Sequence, residues 1–315
     1  MWSGNKVFTK DDSGFAIPQD RTLMLDGPFG RRTEEVKDFP EMVTDILKEI
    51  GRDVDTPHLY HYTDGQSLKS IIETGQLWLT ERNYMNDILD GTFVKDEIQK
   101  KLSGRKDFSG SILESEMFAE RAQYVFSTSL EKDLAHQWSN YGNSDAYCLE
   151  FSRVELREFF LKSKEDADQL YYGPILYDTN DVSTVCDRII RDMTEGITNA
   201  TNPSSDPLSR MDLYERSKKV YQYFYSLIKQ RGHYAEKEFR FLVQSTRKPE
   251  YLVKGGLFVP FIKIGKKRRK LPISRVYVGP SNHDRLAIES LKSYLKQGKY
   301  KGVGVEPSEL KTRKK

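Results

Sequence analysis

An α+β fold is predicted for this 315-residue chain, on three observations. Alternating segments such as "LYHYTD" and "EKEFRFLV" read as strands with one apolar face, and amphipathic helical segments lie between them without a regular βαβ rhythm. Neither GxGxxG nor GxxxxGK[ST] occurs, which disfavours a Rossmann or P-loop organisation. The chain is also long enough, at 37% hydrophobic, to bury a sizeable core.

The elements follow in order. Residues 1–35 are polar and Gly/Asp-rich and read as a weakly ordered arm. "DFPEMVTDILKEIG" is a helix stopped at Gly51. "HLYHYT" alternates as a strand, "DGQSLKSIIETG" sets Leu68, Ile71 and Ile72 at helical spacing, and "QLWLT" is a second strand. Residues 86–120 are charged and read as helical. "AQYVFSTSLE" is a strand, and "DLAHQWSNYG" a helix with Leu134, Trp138 and Tyr141 on one side, closed by Gly142. "AYCLEFS" is a strand, followed by a helical stretch near 154–169 and "GPILYD". Residues 180–232 read as mostly helical, broken by the loop "TNPSSDP"; their second half, "DLYERSKKVYQYFYSLIKQRG", has an aromatic face. The strand "EKEFRFLV", then "GGLFVPFIKI", "SRVYVGP", the helix "DRLAIESLKSYLKQG" and the strand "KGVGV" complete the chain. A single domain over 36–305 with helical insertions is expected, followed by a basic tail over 306–315.

Charge is high but nearly balanced, at +3 overall. From Tyr251 to Lys315 there are seventeen Lys/Arg against four Asp/Glu, so the remainder is net acidic and the C-terminal fifth is where a polyanion is attracted. The two cysteines, Cys148 and Cys186, belong to no CxxC or Cys/His cluster; structural zinc is not expected, and the count suits a reduced compartment. There is no basic-then-apolar leader and no apolar run near the roughly 18–20 residues that span a bilayer. A cytoplasmic protein without a membrane partner is the expectation.

Four segments carry candidate chemistry. In "EKEFRFLV", strand alternation puts Glu236, Glu238 and Arg240 on one face and Phe239, Phe241 and Val243 on the other, the core side. Two carboxylates roughly 7 Å apart on a strand need cations or a ligand to offset them. The same pattern alone also suits a solvent-facing ion pair on an edge strand. In "FSTS", Ser127 and Ser129 share a face, where hydroxyls can bond a sugar or support a carboxylate, or simply lead into a helix cap. Trp138 and Tyr141 can stack on a flat ring or pack in a core. His61, between Tyr60 and Tyr62, suits a pocket wall or a satisfied structural position. The histidines show no HExxH or other ligand spacing, so no metal is assigned. No Gly-x-Ser-x-Gly elbow is present, and neither cysteine has a recognisable catalytic context.

Taken in order, "LYHYT", "FSTS", "QWSNYG" and "EKEFRFLV" resemble a widespread bacterial domain family of uncharacterised function, with a Tyr-His-Tyr-Thr strand, a Trp-Ser-x-Tyr helix and a Glu-x-Glu-x-Arg strand. "MND" at Met85–Asp87 and "SRVYVGP" resemble further parts of it, and the likeness spans roughly residues 58–280. That family is similar to an outlying branch of the ADP-ribosyltransferases. The resemblance implies split antiparallel sheets gripping NAD as co-substrate. It implies His61, helped by Thr63, on the ribose of the adenosine half, and Ser127 and Ser129 supporting the nicotinamide ribose and the catalytic carboxylate. Tyr141, with Trp138, would stack on nicotinamide. Glu238 would be the catalytic glutamate, Glu236 would orient or deprotonate the acceptor, and Arg240 would pair the acidic stripe or contact a phosphate. The early strand arginine of the Arg-Ser-Glu branch is missing, so the His-led branch is the closer comparison.

The basic run Lys266, Lys267, Arg268, Arg269 and Lys270 points to nucleic acid as acceptor, RNA ahead of DNA, because clustered cations neutralise phosphates without reading sequence. It also reads as a solvated basic loop. A bacterial toxin or defence effector of this kind implies an antitoxin partner. The alternatives are transfer to protein side chains, NAD hydrolysis, and a non-enzymatic nucleic-acid-binding module. A glycoside hydrolase ranks last, since two glutamates on one strand seldom straddle a bond.

Overall fold

The computed structural model describes residues 9–10, 16–17, 39–52, 56–85, 92–103, 122–141, 145–201, 216, 218–267, 269–280 and 284–310. The class is α+β: helices surround a ten-stranded mixed sheet. Of residues 1–35, only β1 (Thr9–Lys10) and β2 (Ala16–Ile17), a separate antiparallel pair, are described. Residues 202–207 of the "TNPSSDP" loop, Asn86 and Asp87 lie outside the described residues, and Thr201 ends the helix before them.

The main sheet forks. β5 (Gln123–Ser129) pairs along its length with β8 (Glu238–Gln244), from Gln123↔Gln244 to Ser129↔Glu238. The other edge of β5 is shared. β4 (Leu77–Glu81) takes Val125 and Tyr124, while β3 (His58–Asp64) touches β5 only at Tyr60↔Ser129. From β3 one arm continues through β6 (Ala146–Ser152) and β11 (Ile273–Val278) to β12 (Gly304–Pro307). From β4 the other continues through β10 (Leu257–Ile264) to β9 (Glu250–Lys254). β7 (Gln169–Pro174) flanks β8 on its far side. Every pairing is antiparallel except β11 with β12.

Strand alternation sorts β8 between two cores. Phe239, Phe241 and Val243 join a cluster with Phe126, Phe151 and Phe160, in which Phe160 stacks on Phe241 at 4.5 Å. Leu242 joins the opposite cluster, built by the helices Phe39–Glu49, Thr92–Leu102 and Thr179–Thr201. β8 is therefore buried on both faces and central in its sheet, unlike a solvent-facing edge strand.

The helix Gly65–Thr74 forms as its spacing predicts. Asp64 caps it by accepting from Ser67 N at 2.6 Å, and Leu68, Ile71 and Ile72 are buried. Gly75 closes it in left-handed backbone (φ 68°), and a Cβ there would meet Arg269 O at 2.0 Å.

Three local expectations are corrected. The helix expected to run to residue 232 is helical over 218–225 and then breaks off. Leu176 and Ile228 form a parallel bridge, and the Leu176–Leu227 and Lys229–Leu176 backbone bonds take the groups a helix would use. β9 was not foreseen; it pairs with β10 through a two-residue Gly255-Gly256 turn with both φ positive. The sheet also runs past residue 305, since β12 ends at Pro307 and Glu309 N donates to Asp133 Oδ2 at 2.5 Å. No helix among the described residues is long and apolar enough to cross a membrane.

Candidate active site

At the fork, where β3 leaves β5, the two arms leave an open cleft. His61, Ser127, Ser129, Glu236 and Glu238 line it, together with Tyr60, Lys229, His233, Gln137 and Met85. β3 supplies Tyr60 and His61, β5 Ser127 and Ser129, and β8 Glu238; His233 and Glu236 come from the turn entering β8, Lys229 from just before it, Gln137 from the helix Ala135–Tyr141, and Met85 from the end of the turn after β4.

His61 lies beside the opening. Its Nδ1 is 2.9 Å from Ser127 O, and its ring stacks on Phe126 at 4.4 Å. Burial outweighs the backbone bond and pulls its pKa down to about 4, so the ring is neutral at pH 7. A neutral ring facing a carbonyl carries its proton on Nδ1 and leaves Nε2 as an acceptor. Ser127 Oγ is buried with no formed hydrogen bond among the described residues. It is near enough to Glu238 to help depress that carboxyl's pKa.

Glu238 opens β8 and its main chain is pinned. Its N–H donates to Tyr177 Oη at 3.0 Å, and its carbonyl accepts from Ile175 N at 2.9 Å. Its carboxylate meets two cations. Arg240 Nε donates to Oε1 at 2.8 Å, while Lys229 Nζ stands 2.9 Å from Oε2. Burial alone would raise the Glu238 pKa; Arg240, then Lys229, overcome it and hold it at about 2. The carboxyl is thus ionised despite being buried, and Oε2 makes no aligned hydrogen bond. Arg240 is fully buried and also donates to Ser226 O at 2.9 Å.

Glu236 is not on the strand. It ends a 3₁₀ turn, Arg231–Glu236, and Lys237 follows in left-handed backbone (φ 47°), which interrupts the expected alternation. The two carboxylates still converge, through Lys229. Its Nζ lies 2.9 Å from Glu236 Oε2 as well as from Glu238, and His233 Nδ1 lies 2.9 Å from Glu236 Oε1. Burial works against the Lys229 charge, but Glu238 and Glu236 prevail over it and over Arg240, and its pKa rises. Lys229⁺, Arg240⁺ and the two carboxylates form a neutral quartet. Ser129 Oγ donates to Glu236 O at 2.9 Å and Gln137 Nε2 at 3.3 Å, tying the turn to β5 and to the helix Ala135–Tyr141.

Other sequence-derived candidates lie elsewhere. Trp138 is buried against Tyr62 at 4.9 Å and donates to Asp133 Oδ1 at 2.9 Å; it packs a core cluster and does not line the cleft. Thr63 is buried on β3 away from the opening. Tyr141 ends its helix, and its side chain is outside the described residues, as is Arg268. Lys266, Lys267, Arg269 and Lys270 are exposed on the loop after β10, and none lines the cleft. Among the described residues no group of three His, Cys, Asp or Glu is placed to hold a metal, and both cysteines are free and buried.

Lys229, His233 and Gln137 were missed from sequence. The signal for Lys229 was hidden in a run that reads as helix; His233, three residues before Glu236, was open to view but carried no ligand spacing. Comparison with known proteins gives no match to a family model, a curated protein or a solved structure.

Proposed function

We propose that the chain is an NAD-dependent ADP-ribosyltransferase with Glu238 as its catalytic carboxylate, acting on RNA and releasing nicotinamide. The observation that carries this reading is a buried, ionised glutamate, held by two cations, in a cleft it shares with a neutral histidine and a buried serine hydroxyl close to its carboxylate. The forked sheet supports it too, because the cleft opens where its arms part.

When the bond from ribose C1′ to nicotinamide breaks, the electron pair leaves with nicotinamide and positive charge develops on the ribose. A fixed carboxylate stabilises that charge with little reorganisation. Glu238 supplies it, and Lys229 and Arg240 keep it ionised. His61 Nε2 accepts from a ribose hydroxyl, and Ser127 Oγ bonds the sugar or the carboxylate. The acceptor nucleophile forms the new bond to C1′ and gives its proton to Glu236, whose partner His233 is part-exposed to solvent.

The test is incubation with labelled NAD and a cell lysate, followed by separation of RNA, DNA and protein. Label is expected in RNA with the wild type. Glu238→Gln is expected to lose it by about 10²–10³-fold or more. Labelling by the variant within a few-fold of wild type would overturn the assignment. Label in protein alone would move the acceptor to side chains.

A further inference from the structure

β9 is the outermost strand of its arm and pairs only with β10 among the described strands. Its residues read Glu250-Tyr251-Leu252-Val253-Lys254. Tyr251 is 60% exposed and Val253 68%, and Phe258, opposite Val253 on β10, is 70% exposed. These three share one face, so apolar surface and a free strand edge coincide.

The hairpin determines which backbone groups are free. A two-residue turn makes Lys254 and Leu257 the hydrogen-bonded pair that closes it. Alternation then turns the N–H and C=O of Leu252 and Glu250 toward β10 and those of Tyr251 and Val253 outward. The segment is also self-complementary. Run antiparallel to itself about Leu252, it sets Glu250 opposite Lys254, Tyr251 opposite Val253, and Leu252 opposite itself. In that register the outward groups of Tyr251 and Val253 are the ones that meet.

We infer that β9 pairs antiparallel with β9 of a second copy of this chain, about a two-fold axis through Leu252, extending the sheet across a dimer. Four backbone bonds join Tyr251 and Val253 of the two copies. Two ion pairs, each Glu250 with the partner's Lys254, flank them and select this register. A shift by two residues loses both ion pairs, and a shift by one turns inward-facing backbone groups to the edge. Like charges do not meet, which is the usual obstacle to edge pairing. Glu250 also contacts Lys263 at 2.5 Å within its own chain; that carboxylate is 58% exposed and has a second oxygen to offer. A five-residue strand pair is a small interface, so association is expected at roughly 10–100 µM.

Light scattering or sedimentation over a concentration series tests this. The wild type is expected to move from the chain's 36.6 kDa to twice that mass. Val253→Pro removes an outward donor at a position where an edge strand tolerates proline, and is expected to weaken the dimer at least tenfold with the thermal melt retained. Lys254→Glu and Glu250→Lys should each be monomeric alone and should dimerise when mixed, because each then meets the opposite charge. Leu252→Cys should cross-link to itself on oxidation, since Cys148 and Cys186 are buried. A wild type that stays monomeric to several hundred micromolar leaves the edge to some other protein and overturns the proposal. So does a dimer indifferent to Val253→Pro and Lys254→Glu, or one whose Leu252→Cys variant does not cross-link.

Discussion

Lys229 Nζ stands 2.9 Å from Glu238 Oε2, with 7% and 5% of the two side chains exposed. Neither charge is stable alone at such depth: Glu238 is the chief partner that keeps Lys229 charged, and Lys229 adds to Arg240 in keeping Glu238 ionised. The same ammonium reaches Glu236, so one buried cation holds two carboxylates in a single cleft.

Removing that cation should be costly. Lys229→Met leaves two carboxylates facing each other, and a loss of about 3–5 kcal/mol is expected in urea unfolding at pH 7. Adding Glu236→Gln should recover part of it, because Arg240 then faces Glu238 alone and the one uncompensated charge is gone. The pH dependence has a defined sign. Glu238 has its pKa lowered from 4.5 to about 2 in the folded state, so its contribution is present above pH 4.5 and is lost as pH falls toward 2. Without Lys229 the folded value rises, and acid unfolding should begin at higher pH. Equal acid midpoints for wild type and variant would contradict the pairing.

Glu236 and Glu238 should divide the work. Glu236→Gln keeps the side chain's shape but removes the proton acceptor that faces His233. Transfer to a nucleophile is expected to fall by about 10²–10⁴-fold, the range of general-base effects, while NAD cleavage persists. Nicotinamide release and acceptor labelling, measured on one sample, separate the two. Equal loss of both would remove the division of labour.

The parts of this site set by strand alternation could be read from the sequence, and the parts set by remote pairing could not. A period of two is enough to put Ser127 with Ser129 and Phe239 with Phe241, and the structure keeps both pairs on their faces. Alternation failed at Glu236 because Lys237 adopts a left-handed backbone that no residue type there announces. Lys229 was unreadable for a different reason. Its aromatic, helix-patterned run breaks off where Ile228 meets Leu176, and that contact depends on a segment far back in the chain, just past the end of β7. Trp138 shows the limit of helical spacing, which cannot tell a ring facing a core from a ring facing a cleft. The fork belongs to the same class, since it needs β3 and β4 to compete for one edge of β5.

His61 should make the fold sensitive to mild acid. Its pKa falls from 6.5 to about 4 on folding, so the unfolded chain binds the extra proton between those values. Stability should therefore fall as pH drops through that window, by up to about 1.4 kcal/mol per pH unit. His61→Phe keeps a ring on Phe126 and removes the titration, so its stability should be flatter between pH 6.5 and 4. Catalysis with an already neutral ring should show no loss as pH rises through 6.5 to 8. An activity that halves near pH 6.5 in the wild type and not in His61→Phe would mean that the ring is protonated when it works.

The basic loop should affect where label goes and leave cleavage alone. Lys266, Lys267, Arg269 and Lys270 are exposed and outside the cleft. The loop backbone is held independently of their charges, with Arg269 O accepting from Lys299 Nζ at 2.8 Å and Leu271 N donating to Tyr300 Oη at 3.0 Å. Neutralising these four and Arg268 should thus leave the fold and acceptor-free NAD hydrolysis unchanged. If RNA is the acceptor, its binding should weaken, and each lost phosphate contact should reduce the slope of log affinity against log salt by about 0.7–0.9. The slope is the better readout than affinity at one salt concentration, because it counts phosphates and ignores contacts made in the cleft. A variant that labels RNA as well as the wild type at every salt concentration would remove the loop from substrate binding and leave Lys229, Glu236 and the cleft wall to select the acceptor.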